Sequence, residues 1–108
     1  MSDKMKVVMI CAAGMSSSLL CTKITEAAKK RGMDMEVTSM PSMTYKEISY
    51  DDVTALLVAP QVRGQKSEVE HYIASLGLKT PVIQIGFQEY GLVKGDVVLD
   101  NLLKVLEA

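Results

Sequence analysis

One of the two cysteines opens a run of small residues near the N-terminus. Cys11 is followed by Ala12, Ala13, Gly14, Met15, Ser16, Ser17 and Ser18. Small residues let the backbone curl so that several N–H groups point at one spot. A helix that begins in this run adds unsatisfied N–H donors and a partial positive charge, which favour an anion by on the order of 0.3–1 kcal/mol. Such a loop stabilises both a thiolate and a phosphate, and it predicts that Cys11 is a nucleophile near neutral pH.

Three other interpretations of Cys11 compete with that of a thiol that carries phosphate. Cys11 is alternatively a small buried residue at a strand end, because free cysteine is commonly buried. A cysteine-dependent phosphatase needs an Arg six residues after the nucleophile to clamp the phosphate, and that position holds Ser17. A redox-sensing thiol protein needs a resolving cysteine, and Cys21 lies roughly three turns further along the chain. Since Asp-Pro, the setting of a phosphatase general acid, is also absent from the sequence, the loop suits passing phosphate onward.

The elements that must position this loop alternate along the chain. Apolar or alternating runs predict strands at 6–10, 35–40, 54–59 and 81–85, the second of them nearer an edge. Helical periodicity predicts helices from about residue 19 to Gly32, from 67 to 76 before Gly77, and over 97–106. This order predicts an α/β fold with a parallel sheet covered on both faces, in one domain spanning 1–108. The working loops of such a sheet follow the carboxyl ends of the strands, here at 11–18, 60–66 and 86–96.

Composition narrows the classes of partner. The 108 residues are 48% hydrophobic and 23% charged, which is typical of a globular domain. The net charge of −1 gives no basic surface for nucleic acid. The longest apolar run, residues 7–13, is far short of the ~20 residues that span a bilayer. Two cysteines provide neither a disulfide framework nor zinc knuckles and favour the cytoplasm, while one Phe and no Trp offer little to a flavin. We therefore expect no metal, no cofactor and no membrane insertion.

Other residues with reactive side chains favour structural interpretations. His71 lacks spaced partners and is expected at a solvated helix position. Cys21 falls on the apolar side of the first predicted helix and is expected to pack in the core. The acidic pair at 51–52 precedes the third strand, which is the wrong edge for a phosphate-accepting aspartate. Arg63 and Lys66 either attract phosphate or an acidic partner, or are ordinary solvated loop charges.

The segment at 11–20, Cys-Ala-Ala-Gly-Met-Ser-Ser-Ser-Leu-Leu, closely resembles the active-site loop of one protein family. That family is the enzyme IIB component of the lactose/cellobiose (chitobiose) branch of the bacterial phosphoenolpyruvate-dependent sugar phosphotransferase system. Supporting resemblances are Ala-Pro-Gln-Val at 59–62, Pro-Val at 81–82 and Tyr-Gly at 90–91, so that the likeness covers nearly the whole chain. It implies a four-stranded parallel sheet in the order 2-1-3-4, similar to the architecture of low-molecular-weight phosphotyrosine phosphatases and flavodoxins.

The resemblance also implies a phosphocarrier function. Cys11 would accept a phosphoryl group from a phosphohistidine of enzyme IIA and pass it to a sugar, such as a β-linked disaccharide, bound to the membrane component IIC. The protein would be cytoplasmic and would associate peripherally with that membrane component. The roles carried over by position are these: the backbone from Ala12, Ala13, Gly14 and Met15 to the hydroxyl-bearing Ser16, Ser17 and Ser18 holds the phosphoryl group, and Pro60, Gln61 and Arg63 form the pocket rim.

Two further expectations concern the surface of the loop. It should be exposed, because two partners must reach one sulfur, and Met15 and Leu19 are candidates for an apolar rim, although Leu19 fits the core equally well. Gly64 and Gly86 depart from the family pattern, in which many relatives have an aromatic residue and an Asp at these places.

Overall fold

The computed structural model describes residues 4–12 and 16–107, and in these ranges strands and helices alternate. The order of elements is β1 (Met5–Cys11), α1 (Ser16–Lys30), β2 (Met35–Pro41), a 3-10 segment (Ser42–Glu47), β3 (Ala55–Val58), a second 3-10 segment (Pro60–Gln65), α2 (Lys66–Ser75), β4 (Val82–Gln84), α3 (Phe87–Gly91) and α4 (Gly95–Glu107).

The four strands form one parallel sheet in the order β2-β1-β3-β4. β1 pairs with β2 along its whole length, from Met5 opposite Met35 to Cys11 opposite Pro41. Its other side pairs with β3. The predicted strand order and the edge position of β2 are therefore confirmed, and β1, which ends at Cys11, is one of the two inner strands.

Each face of the sheet has its own core, because successive side chains of a strand point to opposite faces. On one face Val7 and Met9 pack with apolar residues of α1 and α4. On the other face Val8 and Ile10 pack with α2 and with buried tyrosines from the region after β2. The predicted arrangement of helices on both faces is confirmed, and it leaves the edge at which the strands end available for a site.

The ends of two helices match their sequence signals. Gly32 follows α1 with φ of +74°, and Gly77 follows α2 with φ of +78°, a backbone conformation that glycine adopts without steric cost. The two 3-10 segments and α3 are not in the sequence prediction, because segments of six residues or fewer show no helical periodicity. All three follow the carboxyl end of a strand. In the described part of the chain, no helix has both the length and the apolarity to cross a membrane.

Candidate active site around Cys11

Cys11 is the last residue of β1, and α1 begins five positions later at Ser16. The thiol therefore lies at the carboxyl end of an inner strand, before a helix N-terminus, as the sequence predicts. Its Sγ lies 3.2 Å from Oγ of Ser17 and 3.6 Å from the backbone oxygen of Met40. Both distances allow the S–H group to donate a hydrogen bond.

The strand register explains the second contact. Cys11 pairs with Pro41 of β2, so that the carbonyl group of Met40 reaches the sulfur from the neighbouring strand. A carbonyl oxygen only accepts hydrogen bonds, whereas the Ser17 hydroxyl both donates and accepts. The sulfur thus contacts one group that only accepts hydrogen bonds and one that both accepts and donates them.

The expected exposure of the loop is only partly observed. Cys11 is 4% exposed and Ser17 only 1%. Ala12 and Ser18, which flank them in the sequence, are exposed. Cys11 belongs to the core cluster on the α1 side of the sheet. Its contact with Met40 was not predictable from the local sequence, because the two residues are 29 positions apart.

The remaining residues of the predicted phosphate loop are placed in part. Ala13, Gly14 and Met15 lie outside the described residues, and Ser16 contributes its backbone as the first residue of α1. The backbone oxygen of Ser18 accepts a hydrogen bond from the Thr22 hydroxyl within the helix.

Cys21 lies one helical turn beyond Ser17 and is buried in the core on the α1 side of the sheet, as predicted. Burial raises the pKa of its thiol to about 11, and the charge of Cys11 acts in the same direction, against a smaller lowering effect of a hydrogen bond with Ser39. Both cysteines are free thiols. Cys21 is therefore a protonated packing residue at neutral pH and a poor nucleophile.

The loop that follows β3 forms a second part of this edge. Pro60 is buried, whereas Gln61 and Arg63 are exposed. The guanidinium of Arg63 lies 5.1 Å from the ring centroid of Phe87, which follows β4, so a cation–π contact joins the two loops. Lys66 instead pairs with Glu70 on α2 at 3.1 Å, as an ordinary solvated charge does.

Exposed apolar side chains surround the same edge. Leu19 in α1, Met43 after β2 and Phe87 after β4 are 49%, 86% and 62% exposed. Leu19 is therefore a surface residue, while its neighbour Leu20 is fully buried. Sequence reasoning missed Met43 and Phe87, and the available signal was a large apolar residue two or three positions after the end of a predicted strand.

The residues for which the sequence favours a structural role, His71 and the acidic pair at 51–52, lie in ordinary surface environments. His71 is exposed on α2, and its Nδ1 lies 2.9 Å from the backbone oxygen of Ser67. Asp52 precedes β3 at the opposite edge and pairs with Lys6 at 3.4 Å. Within residues 4–12 and 16–107, no group of three or more potential ligand side chains is placed to hold a metal ion.

Comparison with known protein families gives a consistent match. The profile of the family described as "PTS system, Lactose/Cellobiose specific IIB subunit" matches residues 6–101. The chain is 35% identical over 110 residues to the galactose-specific EIIB component of the PTS system of Lactococcus lactis subsp. cremoris, covering 95% of this chain and 99% of that one. It is 29% identical over 101 residues to the oligo-beta-mannoside-specific EIIB component of Bacillus subtilis, covering 94% and 95%.

Solved structures agree on the fold. The cellobiose-specific phosphotransferase IIB component of Borrelia burgdorferi superimposes with a TM-score of 0.74 at 26% identity, over 97% of this chain and 94% of that one. The lactose-specific IIB component domain of Streptococcus pneumoniae superimposes with a TM-score of 0.77 at 24% identity, over 94% and 97%. The predicted α/β architecture is confirmed by both.

Proposed function

The chain belongs to the lactose/cellobiose-specific IIB family of the phosphotransferase system. From this membership we propose that Cys11 is the nucleophile that carries the phosphoryl group. As a sugar-specific IIB component, the protein is a phosphotransferase that works with other components of that system. The observation that carries the proposal is the position of Cys11, at the end of the inner strand β1 and beside the first turn of α1.

The proposed reaction has two steps. In the first, the N–P bond of a phosphohistidine on enzyme IIA breaks and an S–P bond to Cys11 forms. The proton lost by the thiol is taken up by the imidazole nitrogen that the phosphoryl group leaves. In the second step, the S–P bond breaks, an O–P bond to a sugar hydroxyl on the membrane component IIC forms, and the sulfur regains a proton. Neither step needs a metal if the N–H groups of residues 12–18 stabilise the equatorial oxygens.

The surface around Cys11 supports a shared docking edge for both partners. Leu19, Met43 and Phe87 offer exposed apolar area at this edge, and Arg63 adds a positive charge held over the Phe87 ring. Residues of this kind are typical of binding surfaces. We propose Pro60 and Gln61 as part of the pocket rim because they begin the loop after β3, at the same edge of the sheet as Cys11.

The names of two of the three similar proteins, those specific for cellobiose and for oligo-beta-mannoside, support the class of sugar that we propose. The three names specify galactose, cellobiose and oligo-beta-mannoside. We propose a β-linked disaccharide, delivered by IIC, with the protein acting in the cytoplasm at the membrane surface.

The decisive experiment is intact-mass analysis after incubation with a reconstituted phosphoryl donor chain that ends in phosphorylated IIA. We expect the wild-type protein to gain the mass of one phosphoryl group, which peptide mapping places on Cys11. Cys11→Ala should gain none, and Cys21→Ala is the matched control that should gain the same mass as the wild type. Phosphate on Cys11→Ala, or none on the wild type with an active donor, would contradict the proposal.

A second measurement separates a carrier from a phosphatase. Because Ser17 occupies the position at which a cysteine-dependent phosphatase needs Arg, we expect only slow hydrolysis of small phosphoesters. Rapid hydrolysis that depends on Cys11 would favour the phosphatase interpretation.

A further inference from the structure

We propose that Ser17 is a positioning residue for the sulfur, whose hydroxyl accepts the thiol proton at rest and donates its own proton to the thiolate when Cys11 ionises. This inference rests on the proposed function, because it concerns the same sulfur. It differs from a role in holding the phosphoryl group, since the partner of the hydroxyl is the sulfur atom itself.

Two of the groups that contact Sγ, the Met40 carbonyl and the Ser17 hydroxyl, differ in the hydrogen bonds that they can make. The Met40 carbonyl, at 3.6 Å, stabilises an S–H group but has no proton to offer a thiolate. The Ser17 hydroxyl, at 3.2 Å, is able to rotate between accepting and donating. Of these two groups, Ser17 alone can follow the sulfur through its change of charge.

Because both side chains are buried, the change of the Ser17 hydroxyl from acceptor to donor affects the stability of the thiolate. Ser17 is 1% exposed and Cys11 4%, so bulk water has little access with which to replace a deleted hydroxyl. A hydrogen bond to a charged acceptor is roughly twice as strong as one between neutral groups. The hydroxyl should therefore favour the thiolate over the thiol, while the carbonyl of Met40 favours the thiol.

The first turns of α1 hold the hydroxyl in place. Leu20 and Cys21, in the next turn, are 0% and 5% exposed and belong to the core on this face of the sheet. Because these neighbours fix the rotation of the helix about its axis, the Ser17 side chain is directed at β1 and not at solvent.

The proposed step conserves protons throughout. The sulfur loses its proton, which goes to the imidazole nitrogen released as the N–P bond breaks, and the Ser17 hydroxyl keeps its own proton while it turns toward the sulfur. When the S–P bond later breaks, the leaving thiolate again accepts a hydrogen bond from Ser17. The residue thus acts in both transfers without being consumed.

The test is the pH profile of Cys11 alkylation by iodoacetamide, followed by peptide mapping in the absence of any phosphoryl donor. For Ser17→Ala we expect the midpoint to move upward by about one pH unit, which is a roughly tenfold lower rate below the midpoint. Ser17→Thr keeps the hydroxyl and should restore most of the rate. Thr22→Ala deletes an exposed hydroxyl from the same helix and should match the wild type.

A Ser17→Ala profile that superimposes on the wild-type profile would overturn the proposal, and so would an equal shift in Thr22→Ala. A second measurement uses the wild-type protein and so does not depend on the folding of a variant. In ¹³C-labelled protein, the Cβ resonances of Ser17 and Cys11 should titrate with one common midpoint, and a Ser17 resonance that ignores the Cys11 titration would refute the coupling. Because alkylation needs no donor, failure here is distinguishable from failure of phosphoryl transfer.

Discussion

Replacing Gly95 by alanine should force apart the two helices that cover one face of the sheet. Gly95 is the first residue of α4 and is buried against the backbone of α1. A Cβ at this position would lie 2.4 Å from the carbonyl carbon of Lys23 and 2.6 Å from the amide nitrogen of Ile24. Ordinary contacts begin near 3.5 Å. Since neither backbone atom can rotate away, α4 must retreat by about 1 Å.

The magnitude follows from what the retreat disturbs. The interface includes Ile24 and Ala28 of α1 and Leu99 of α4, all fully buried. Overpacking of a core costs typically 1–3 kcal/mol, and a rigid backbone contact belongs near the upper value. Alanine offsets about 0.4–1 kcal/mol of this loss, because it lowers the conformational entropy of the unfolded chain. We therefore expect a net loss of about 2 kcal/mol, which lowers Tm by about 8–16 °C for a domain near this size.

The assay is urea unfolding followed by circular dichroism, with thermal unfolding in parallel. Gly91→Ala is the matched control, because a Cβ on Gly91 meets no atom within 4 Å and the residue ends the short helix α3. That variant should equal the wild type or exceed it by up to about 1 kcal/mol. If the free energy of unfolding of Gly95→Ala lies within about 0.5 kcal/mol of the wild-type value, the helices move apart without loss of stability and the reasoning is refuted.

Three further outcomes are expected. Because burial raises the pKa of Cys21 to about 11, iodoacetamide at pH 8 should label Cys21 in urea but not in the folded protein, and peptide mapping checks this. The hydrogen bond to Glu68 raises the pKa of Tyr45 from 10.0 to about 12. Unfolded chains therefore release that proton first, and the free energy of unfolding should fall between pH 10 and 12, less so in Tyr45→Phe. Asp100→Asn removes an exposed ion pair with Arg31 at 2.7 Å and should change the free energy of unfolding by less than about 1 kcal/mol in urea titrations.

The parts of the fold that could be predicted are those with a long local signal. The apolar run that became β1 indicates a strand buried on both faces, and Val7 to Ile10 are all buried. The five residues of α3 are too few to show a helical period. The segment Ser42–Glu47 makes a distant contact, because the Tyr45 hydroxyl donates a hydrogen bond to the carboxylate of Glu68, 23 residues away. Local patterns contain no trace of such contacts.

The same distinction applies to the site. The position of Cys11 between a strand and a helix follows from neighbouring residues, and the structure places it there. Its contact with the Met40 carbonyl involves another strand, and the contact of Arg63 with Phe87 joins loops from two strands. The position of the proposed nucleophile in the fold was therefore predictable, while the shape of its surroundings was not.

The two glycines that depart from the family pattern indicate where this edge is free to vary. A Cβ on Gly64 would meet no atom within 4 Å, and the three atoms nearest to a Cβ on Gly86 all belong to the side chain of Glu89, whose flexible end can move. Packing of the described residues therefore requires glycine at neither position. Since Phe87 adjoins Gly86 and contacts Arg63 from the loop of Gly64, this chain still presents an exposed aromatic ring at the edge, supplied from the loop after β4. Substitution at either glycine therefore changes the exposed surface of this edge and leaves the packing of the described residues intact.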